Sequence, residues 1–359
     1  MPKNCLPCPV EFVEDVFSED SKVLADTLRR VSGAETPRVL IVADVNVVHH
    51  TEGLGAKIGR YFQTHGVEMA AQPVILPGGE KIKADGLQRI LSVVGSLVTS
   101  RLGAKDVVLA LGGGAVLDVA GFAAAIVRGG VPLVRIPTTP AAMIDAALST
   151  HAFADGQTVK DVLAVSAVPA AVLVDKTFAP TVLDGVWKAG FAEALRLAVV
   201  RDKSLVKWLA ENAAAYARHE VEVLGKMVDD CFALRKKAGG TDFALWSANR
   251  LETMSGYKLP HGYAIALGII IDATYAVAEG LLAEADRRLL VQALTDSGVM
   301  DGAVHSRHLL AQTDKLLDGL ELWAIAHGTE EIELMKGLGK SVCEIPDRGA
   351  MKAALDLIK

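Results

Sequence analysis

Residues 107–118 of the chain read VVLALGGGAVLD, and this short stretch decides the fold. Its first part, 107–111, is a continuous apolar run, which is typical of a strand buried on both faces of a parallel sheet. Gly112, Gly113 and Gly114 follow directly, and a helical pattern begins there. Glycines at such a turn let the backbone approach a phosphate closely, and the helix N-terminus offers N–H groups to it. A tight turn without any ligand is the alternative. The spacing differs from the G-x-G-x-x-G fingerprint, so it does not indicate an ordinary dinucleotide-binding dehydrogenase.

More buried strands lie on both sides of this stretch, with helical patterns between them. Apolar runs predict strands at residues 38–43, 73–76, 107–111, 133–136 and 172–175. Helical periodicity covers residues 21–31, 54–65 and 87–99. This alternation predicts an α/β domain with a doubly wound parallel sheet, a nucleotide-binding domain that we assign to residues 1–175.

The second half of the chain, residues 176–359, is predicted to be an all-α C-terminal domain. Helical patterns cover residues 185–200, 204–216, 221–237, 243–255, 262–279, 284–297 and 306–317. Only residues 331–335 (EIELM) resemble a strand. A length of 359 residues suits two domains rather than one core.

Composition excludes several classes of protein. The net charge of −6 argues against nucleic acid as a partner, because phosphate binding requires a basic face. The N-terminus lacks the apolar segment of a secretory signal, and apolar stretches are interrupted before membrane-spanning length. We therefore expect a cytoplasmic protein with no membrane partner.

Two isolated pairs of potential ligands carry little signal. Cys5 and Cys8 form a C-x-x-C pair without a second pair or a strand-to-helix context, so a reduced terminus without a role is the favoured interpretation. His305 and His308 have a spacing that can hold a metal, but no acidic residue or cysteine nearby completes a set.

Several motifs together resemble the 3-dehydroquinate synthase family of sugar phosphate cyclases. They are the glycine-rich segment 112–130, RIPTTPAAMID at 135–145, LPGGEKIK at 76–83, VLVDKTF at 172–178, GFAEALRLAVVRD at 190–202 and LPHGYAIALG at 259–268. The resemblance implies a nucleotide-binding domain followed by a helical domain, and it implies that NAD lies along the glycine turn. The implied NAD-binding residues are Asp44, Glu80, Lys83, Gly113, Gly114, Asp118, Thr138 and Thr139.

The resemblance also implies a reaction. In such an enzyme NAD oxidises a ring alcohol, phosphate is eliminated, the hydride is returned, and the opened sugar closes to a carbocycle. A divalent metal, usually zinc, is held by one glutamate and two histidines and polarises the alcohol. Glu193 and His261 stand at two of these ligand positions. A glutamate in the apolar segment FAEAL would be costly without a partner, which favours a functional role for Glu193; for His261 a capping or core role is the alternative.

The middle ligand position departs from the family pattern. The segment that runs from Asp242 to Glu252 places Leu245 where the family has a metal-binding histidine, and leucine cannot bind a metal. Asn249, one turn later, replaces a histidine that contacts phosphate. The resemblance therefore implies zinc, whereas Leu245 argues against it; His151 and Asp242 are the candidate replacement ligands.

The remaining catalytic positions are partly kept. The candidate catalytic residues are Asp145, Lys160, Arg196, Arg128 and His151. His151 and Arg196 each stand where the family has a lysine, and Asp161 replaces an asparagine beside Lys160. The helix up to Arg128 is one residue short, which would rotate that arginine by roughly 100°.

We therefore expect an NAD-dependent sugar phosphate cyclase (a carbon–oxygen lyase) with an altered substrate. Two alternatives stay open: a polyol or sugar phosphate dehydrogenase, and a non-catalytic protein that binds NAD or a metabolite. The family resemblance also implies a homodimer.

Overall fold

The computed structural model describes residues 6–84, 87–156, 158–301 and 307–358. Cys5 and His305 lie outside this part of the chain, so the interpretation of the pairs Cys5–Cys8 and His305–His308 stays a prediction. The described residues divide into two compact units. Residues 6–156 and 161–183 form an α/β unit, whereas residues 158–160 cluster with residues 184–358 in a helical unit.

A parallel sheet of seven strands forms the centre of the α/β unit. The strands are β1 (Val10–Phe12), β2 (Arg38–Asp44), β3 (Glu68–Met69), β4 (Val74–Leu76), β5 (Val107–Gly112), β6 (Leu133–Pro137) and β9 (Ala171–Val174). Their order is β1-β9-β6-β5-β2-β3, and β4 also pairs with β2. Strands β7 (His151–Ala154) and β8 (Leu163–Ser166) form a separate antiparallel hairpin.

Helices cover the sheet. They are α1 (Val23–Ser32), α2 (Val45–His50), α3 (Leu54–His65), α4 (Lys81–Ala84), α5 (Gln88–Thr99), α6 (Gly114–Ile126) and α7 (Pro140–Ile144), with 3₁₀ turns at Ala146–Leu148 and Lys176–Thr181. Every residue of β5 is buried, as the unbroken apolar run predicts.

The sheet reverses its winding between β2 and β5. From β2 the chain goes to β3 and β4 on one side, and from β5 it goes to β6 and β9 on the other. The two strands run in register, with Ala43 opposite Leu111, so Asp44 and the glycine turn lie side by side at their carboxyl ends. Ligands of open α/β sheets bind at such a switch point.

The helical unit contains nine helices among its described residues. They are α8 (Asp184–Arg201), α9 (Lys203–Ala217), α10 (Val221–Ala238), α11 (Leu245–Met254), α12 (His261–Ala278), α13 (Glu284–Asp296), α14 (Arg307–Leu310), α15 (Thr313–His327) and α16 (Arg348–Ile358). A hairpin of β10 (Ile332–Met335) and β11 (Ser341–Glu344) accompanies them, which confirms the strand predicted at 331–335.

Helix α12 is the core of this unit and packs against α8, α11, α13 and α16. Among the described residues it is the one helix long and apolar enough to cross a membrane. Since 78% of it is buried inside the unit, it has the burial expected of a core helix.

Two local predictions were wrong, and some short strands were missed. The single helix expected at 306–317 is two helices, because the backbone at Gln312 (φ −88°, ψ 54°) leaves the helical conformation. Helix α6 ends at Ile126, and Arg128 lies beyond it with a left-handed backbone (φ 50°), so it is not on the helix at all. The strand β1 and the hairpin β7–β8 were not predicted, since these strands are only three or four residues long.

Candidate active site

The three glycines of the turn after β5 are packed against neighbouring side chains. A Cβ on Gly112 would lie 2.9 Å from Cβ of Val116, and one on Gly113 would lie 3.1 Å from Cγ2 of Thr139. A Cβ on Gly114 would lie 3.0 Å from Cβ of Ala146. Such contacts are tighter than ordinary packing allows, so the turn needs glycine with or without a ligand.

Thr138 is the observation in this region that points to a ligand. The residue is fully buried, and its N–H donates to the carbonyl of Gly112 at 3.0 Å. Its side-chain hydroxyl is buried and has no hydrogen-bond partner among the described residues. Because a buried hydroxyl without a partner is costly, a bound polar group is the natural acceptor or donor for it.

Asp44 ends β2 beside the glycine turn. Its Oδ1 accepts hydrogen bonds from the N–H of Asn46 (2.8 Å) and from Asn46 Nδ2 (3.0 Å), so the carboxylate caps α2. Burial raises the pKa of Asp44, while these two hydrogen bonds oppose that effect. Gly78 makes room for it, because a Cβ there would lie 2.6 Å from Asp44 Oδ2.

Lys83 lies among four carboxylates. Its Nζ is 2.9 Å from Asp161, 3.0 Å from Asp118, 3.6 Å from Glu80 and 3.8 Å from Asp155. Burial by itself lowers the pKa of Lys83, but the surrounding carboxylates outweigh it and hold that pKa well above its ordinary value. The lysine therefore stays charged and neutralises part of a strongly acidic cluster.

Glu193 and Arg196 form a buried ion pair on α8 of the helical unit. The residues are three apart, so their side chains share one face of the helix. Arg196 donates from Nε (3.0 Å) and from a terminal nitrogen to the same oxygen of Glu193, and its other terminal nitrogen donates to the carbonyl of Thr241. Both side chains are at most 4% exposed, so the pair is shielded from water.

A second buried cluster joins Glu252 of α11, Lys160 and His261 of α12. Lys160 Nζ donates to one carboxylate oxygen of Glu252 at 2.7 Å. His261 Nδ1 lies 2.7 Å from the other, and because a carboxylate cannot donate, the proton of this bond belongs to Nδ1. Nε2 of His261 then faces Glu193 at 4.0 Å, and the side chain is 33% exposed while Glu252 is fully buried.

Two family models match the chain over most of its length. The model of the 3-dehydroquinate synthase N-terminal region matches residues 73–188, and the model of its C-terminal region matches residues 190–315. The chain belongs to the 3-dehydroquinate synthase family. This confirms the family and the enzyme class predicted from the sequence motifs.

Curated relatives and solved structures agree with this family. The 3-dehydroquinate synthase of Rhodopseudomonas palustris (strain TIE-1) is 27% identical over 294 residues, which cover 77% of this chain and 76% of that protein. The one from Ruegeria sp. (strain TM1040) is 29% identical over 339 residues, covering 88% and 87%.

The fold is that of the sugar phosphate cyclases. The 2-epi-5-epi-valiolone synthase of Streptomyces hygroscopicus subsp. jinggangensis 5008, solved with NAD⁺ and Zn²⁺, has a TM-score of 0.84 at 23% identity and covers 98% of this chain and 96% of its own. A 2-deoxy-scyllo-inosose synthase with carbaglucose-6-phosphate, NAD⁺ and Co²⁺ has a TM-score of 0.78 at 18% identity, covering 96% and 95%.

The metal site implied by the family does not fit the residues present. Leu245 begins α11 and offers no donor atom, and Asn249 lies one turn further along the same helix. Asp242, considered as a replacement ligand, is exposed, and His151, the other, is an exposed residue of the α/β unit. Across the described ranges, no group of three or more His, Cys, Asp or Glu side chains is arranged to hold a metal ion.

The structure brings the predicted residues together in two groups, one in each unit. The predicted NAD-binding residues lie around the glycine turn and Lys83, and Lys160 joins Glu193, Arg196 and His261 in the helical unit. Asp145 directly follows α7 in the α/β unit, whereas Arg128 and His151 are exposed.

Two charged residues of these groups were missed as functional candidates. Glu252 was named only as the end of the segment that aligns Leu245 with the family's metal-binding histidine. Asp155 follows a strand that was not predicted. Asp161, noted only as a departure from the family, contacts Lys83. Burial of Glu252 was foreseeable in part, because it lies one helical turn beyond Asn249 on the same face.

Proposed function

We propose that this protein is an NAD-dependent sugar phosphate cyclase of the 3-dehydroquinate synthase family whose substrate differs from that of 3-dehydroquinate synthase. The observation that carries the proposal is the convergence of Asp44, the glycine turn and the unpartnered Thr138 hydroxyl at the switch point of the sheet. A changed substrate is supported by Leu245 and Asn249, which replace family histidines.

The residues of the α/β unit fit a bound dinucleotide. The N–H groups at the start of α6 would take the pyrophosphate, with Gly113 and Gly114 leaving space beside them. Asp44 would accept hydrogen bonds from ribose hydroxyls, and Thr138 and Thr139 would line the same turn. When bound, NAD supplies a reversible hydride acceptor.

The helical unit supplies groups that handle protons. Glu252 accepts the Nδ1 proton of His261, which fixes the tautomer and leaves Nε2 as the acceptor nitrogen. His261 is the most exposed of these side chains, so Nε2 can accept a proton from a substrate hydroxyl while Glu252 stabilises the resulting imidazolium. Lys160 donates to the other carboxylate oxygen of Glu252 at 2.7 Å and so fixes its position. Asp145 is a further proposed catalytic residue of the α/β unit.

A dehydrogenase is the second candidate, because Asn249 removes a phosphate-contacting histidine of the family. The two activities give different products. A cyclase releases inorganic phosphate without net formation of NADH, whereas a dehydrogenase accumulates NADH and releases no phosphate.

The test first measures NAD binding by isothermal titration calorimetry and then screens open-chain sugar phosphates, cyclic sugar phosphates and unphosphorylated polyols. Each substrate is assayed in parallel for phosphate and for NADH, with His261→Gln as the matched inactive control, because His261 is the proposed proton acceptor. Phosphate release from a sugar phosphate would support the cyclase. NADH without phosphate would establish the dehydrogenase, and tight NAD binding with neither product would leave a non-catalytic binding protein.

We also propose a cytoplasmic homodimer with a small-molecule substrate and no nucleic acid or membrane partner. Light scattering after size-exclusion chromatography measures the mass of the assembly directly.

A further inference from the structure

Arg196 occupies the carboxylate that the family uses to bind its metal. It donates from two nitrogens to one oxygen of Glu193, and its third contact, to the carbonyl of Thr241, fixes the guanidinium in place. The other oxygen of Glu193 faces His261 Nε2 at 4.0 Å, so a divalent ion there would share the carboxylate with the guanidinium. Because both side chains of the ion pair are at most 4% exposed, little water screens the repulsion between the ion and the guanidinium.

The other potential ligands of the centre are also committed. Both oxygens of Glu252 are used, one by Lys160 and one by His261. Leu245 contributes no donor atom, so only two of the family's three metal-ligand positions, Glu193 and His261, carry a side chain that can bind a metal. Zinc prefers three protein ligands or more.

Charge leads to the same conclusion. The two glutamates are balanced by Lys160 and Arg196, so the centre is formally neutral when His261 is neutral. A divalent ion would add two positive charges to a centre that is already neutral, which is costly because both glutamates are buried.

We propose that this enzyme binds no divalent metal at the family's metal position and that Arg196 is the residue that excludes it. The guanidinium replaces the ion as the cation that neutralises Glu193. Together with Lys160, it provides the fixed positive charge of the centre. This inference concerns the centre itself and holds whichever substrate the enzyme takes.

Metal binding is tested without reference to activity. The wild-type protein is titrated with Co²⁺ and followed by the visible absorption of the bound ion, and its zinc content is measured by mass spectrometry after exposure to Zn²⁺. A 3-dehydroquinate synthase treated in parallel is the positive control. We expect well under one equivalent of either metal in the wild-type protein, and one equivalent of Co²⁺ that is lost in Glu193→Gln would overturn the proposal.

Two variants test the role of Arg196. Leu245→His restores a donor but leaves Arg196 on Glu193, whereas the double variant Leu245→His/Arg196→Met also frees the carboxylate. We expect the double variant to bind Co²⁺ about tenfold more tightly or better than the single variant, the size of effect typical of groups that control a metal ligand. Equal affinity of the two variants would overturn the role of Arg196.

Circular dichroism establishes that each variant is folded before titration. If the double variant does not fold, Leu245→His alone decides the matter: continued absence of Co²⁺ binding supports the proposal, and tight binding overturns it.

Discussion

Replacing Glu252 by glutamine should destabilise the helical unit strongly. Glu252 is fully buried and holds Lys160 at 2.7 Å and His261 at 2.7 Å. Glutamine keeps the shape but loses the charge, so the Lys160 ammonium, itself 4% exposed, loses the negative charge that lies 2.7 Å from it. Removing one partner of a buried ion pair costs about 3–5 kcal/mol.

The four tryptophans of the chain make this loss easy to measure. They are residues Trp187, Trp208, Trp246 and Trp323, and all belong to the helical unit. Tryptophan fluorescence during urea unfolding therefore reports on that unit selectively. At a slope of about 2–3 kcal/mol per molar urea, a loss of about 4 kcal/mol moves the midpoint down by roughly 1.3–2 M.

A matched control and a double variant test the physical reason. Glu284→Gln removes an exposed carboxylate that pairs with Arg287 and Arg288 on α13, and we expect a much smaller shift from it. Lys160→Met/Glu252→Leu removes both buried charges and should recover much of the lost stability. The reasoning is refuted if Glu252→Gln and Glu284→Gln shift the midpoint equally, or if the double variant is less stable than Glu252→Gln.

Three further variants test other parts of the structure. Burial raises the pKa of Asp272 to about 7, so the folded state holds its proton where the unfolded chain has lost it, and the free energy of unfolding should fall as pH rises from about 4 to about 7. In Asp272→Asn this pH-dependent fall in the free energy of unfolding, measured by urea unfolding, should be smaller by a few kcal/mol. An unchanged dependence on pH would contradict the raised pKa. Gly113→Val places branched carbons against Thr139, which a Cβ would already approach to 3.1 Å. The dissociation constant for NAD should therefore rise by about tenfold or more. Gly95→Ala is the control, because Gly95 has open space around it, and it should leave that constant unchanged. Lys83→Met removes the ammonium that lies within 3.8 Å of four carboxylates, so their mutual repulsion increases and thermal unfolding at neutral pH should shift to lower temperature. Acidification should reduce the shift, because protonation removes the repulsion. A shift that is independent of pH would instead indicate lost packing.

The strands and the glycine turn could be predicted because local physics decides them. A continuous apolar run such as 107–111 is stable only where both faces are buried, and a turn as tight as that at Gly112 admits no side chain. Short elements escaped prediction, since β1 has only three residues and is an edge strand that pairs with β9, far away in the sequence. The break before α15 escaped for a similar reason, because the helical pattern continues across Gln312.

The ion pairs likewise include a local one that the sequence predicts and long-range ones that it does not. The ion pair of Glu193 with Arg196 is local, because residues three apart on a helix share a face, and the sequence alone was sufficient to place them together. Lys160, Glu252 and His261 meet across 92 and 101 positions of the chain, and Lys83 meets Asp161 across 78. The sequence by itself determined the family, the α/β half of the fold and the loss of the histidine at Leu245. Only the tertiary structure decided which buried carboxylates Lys160 and Lys83 contact, because those contacts depend on distances between elements that no local pattern records.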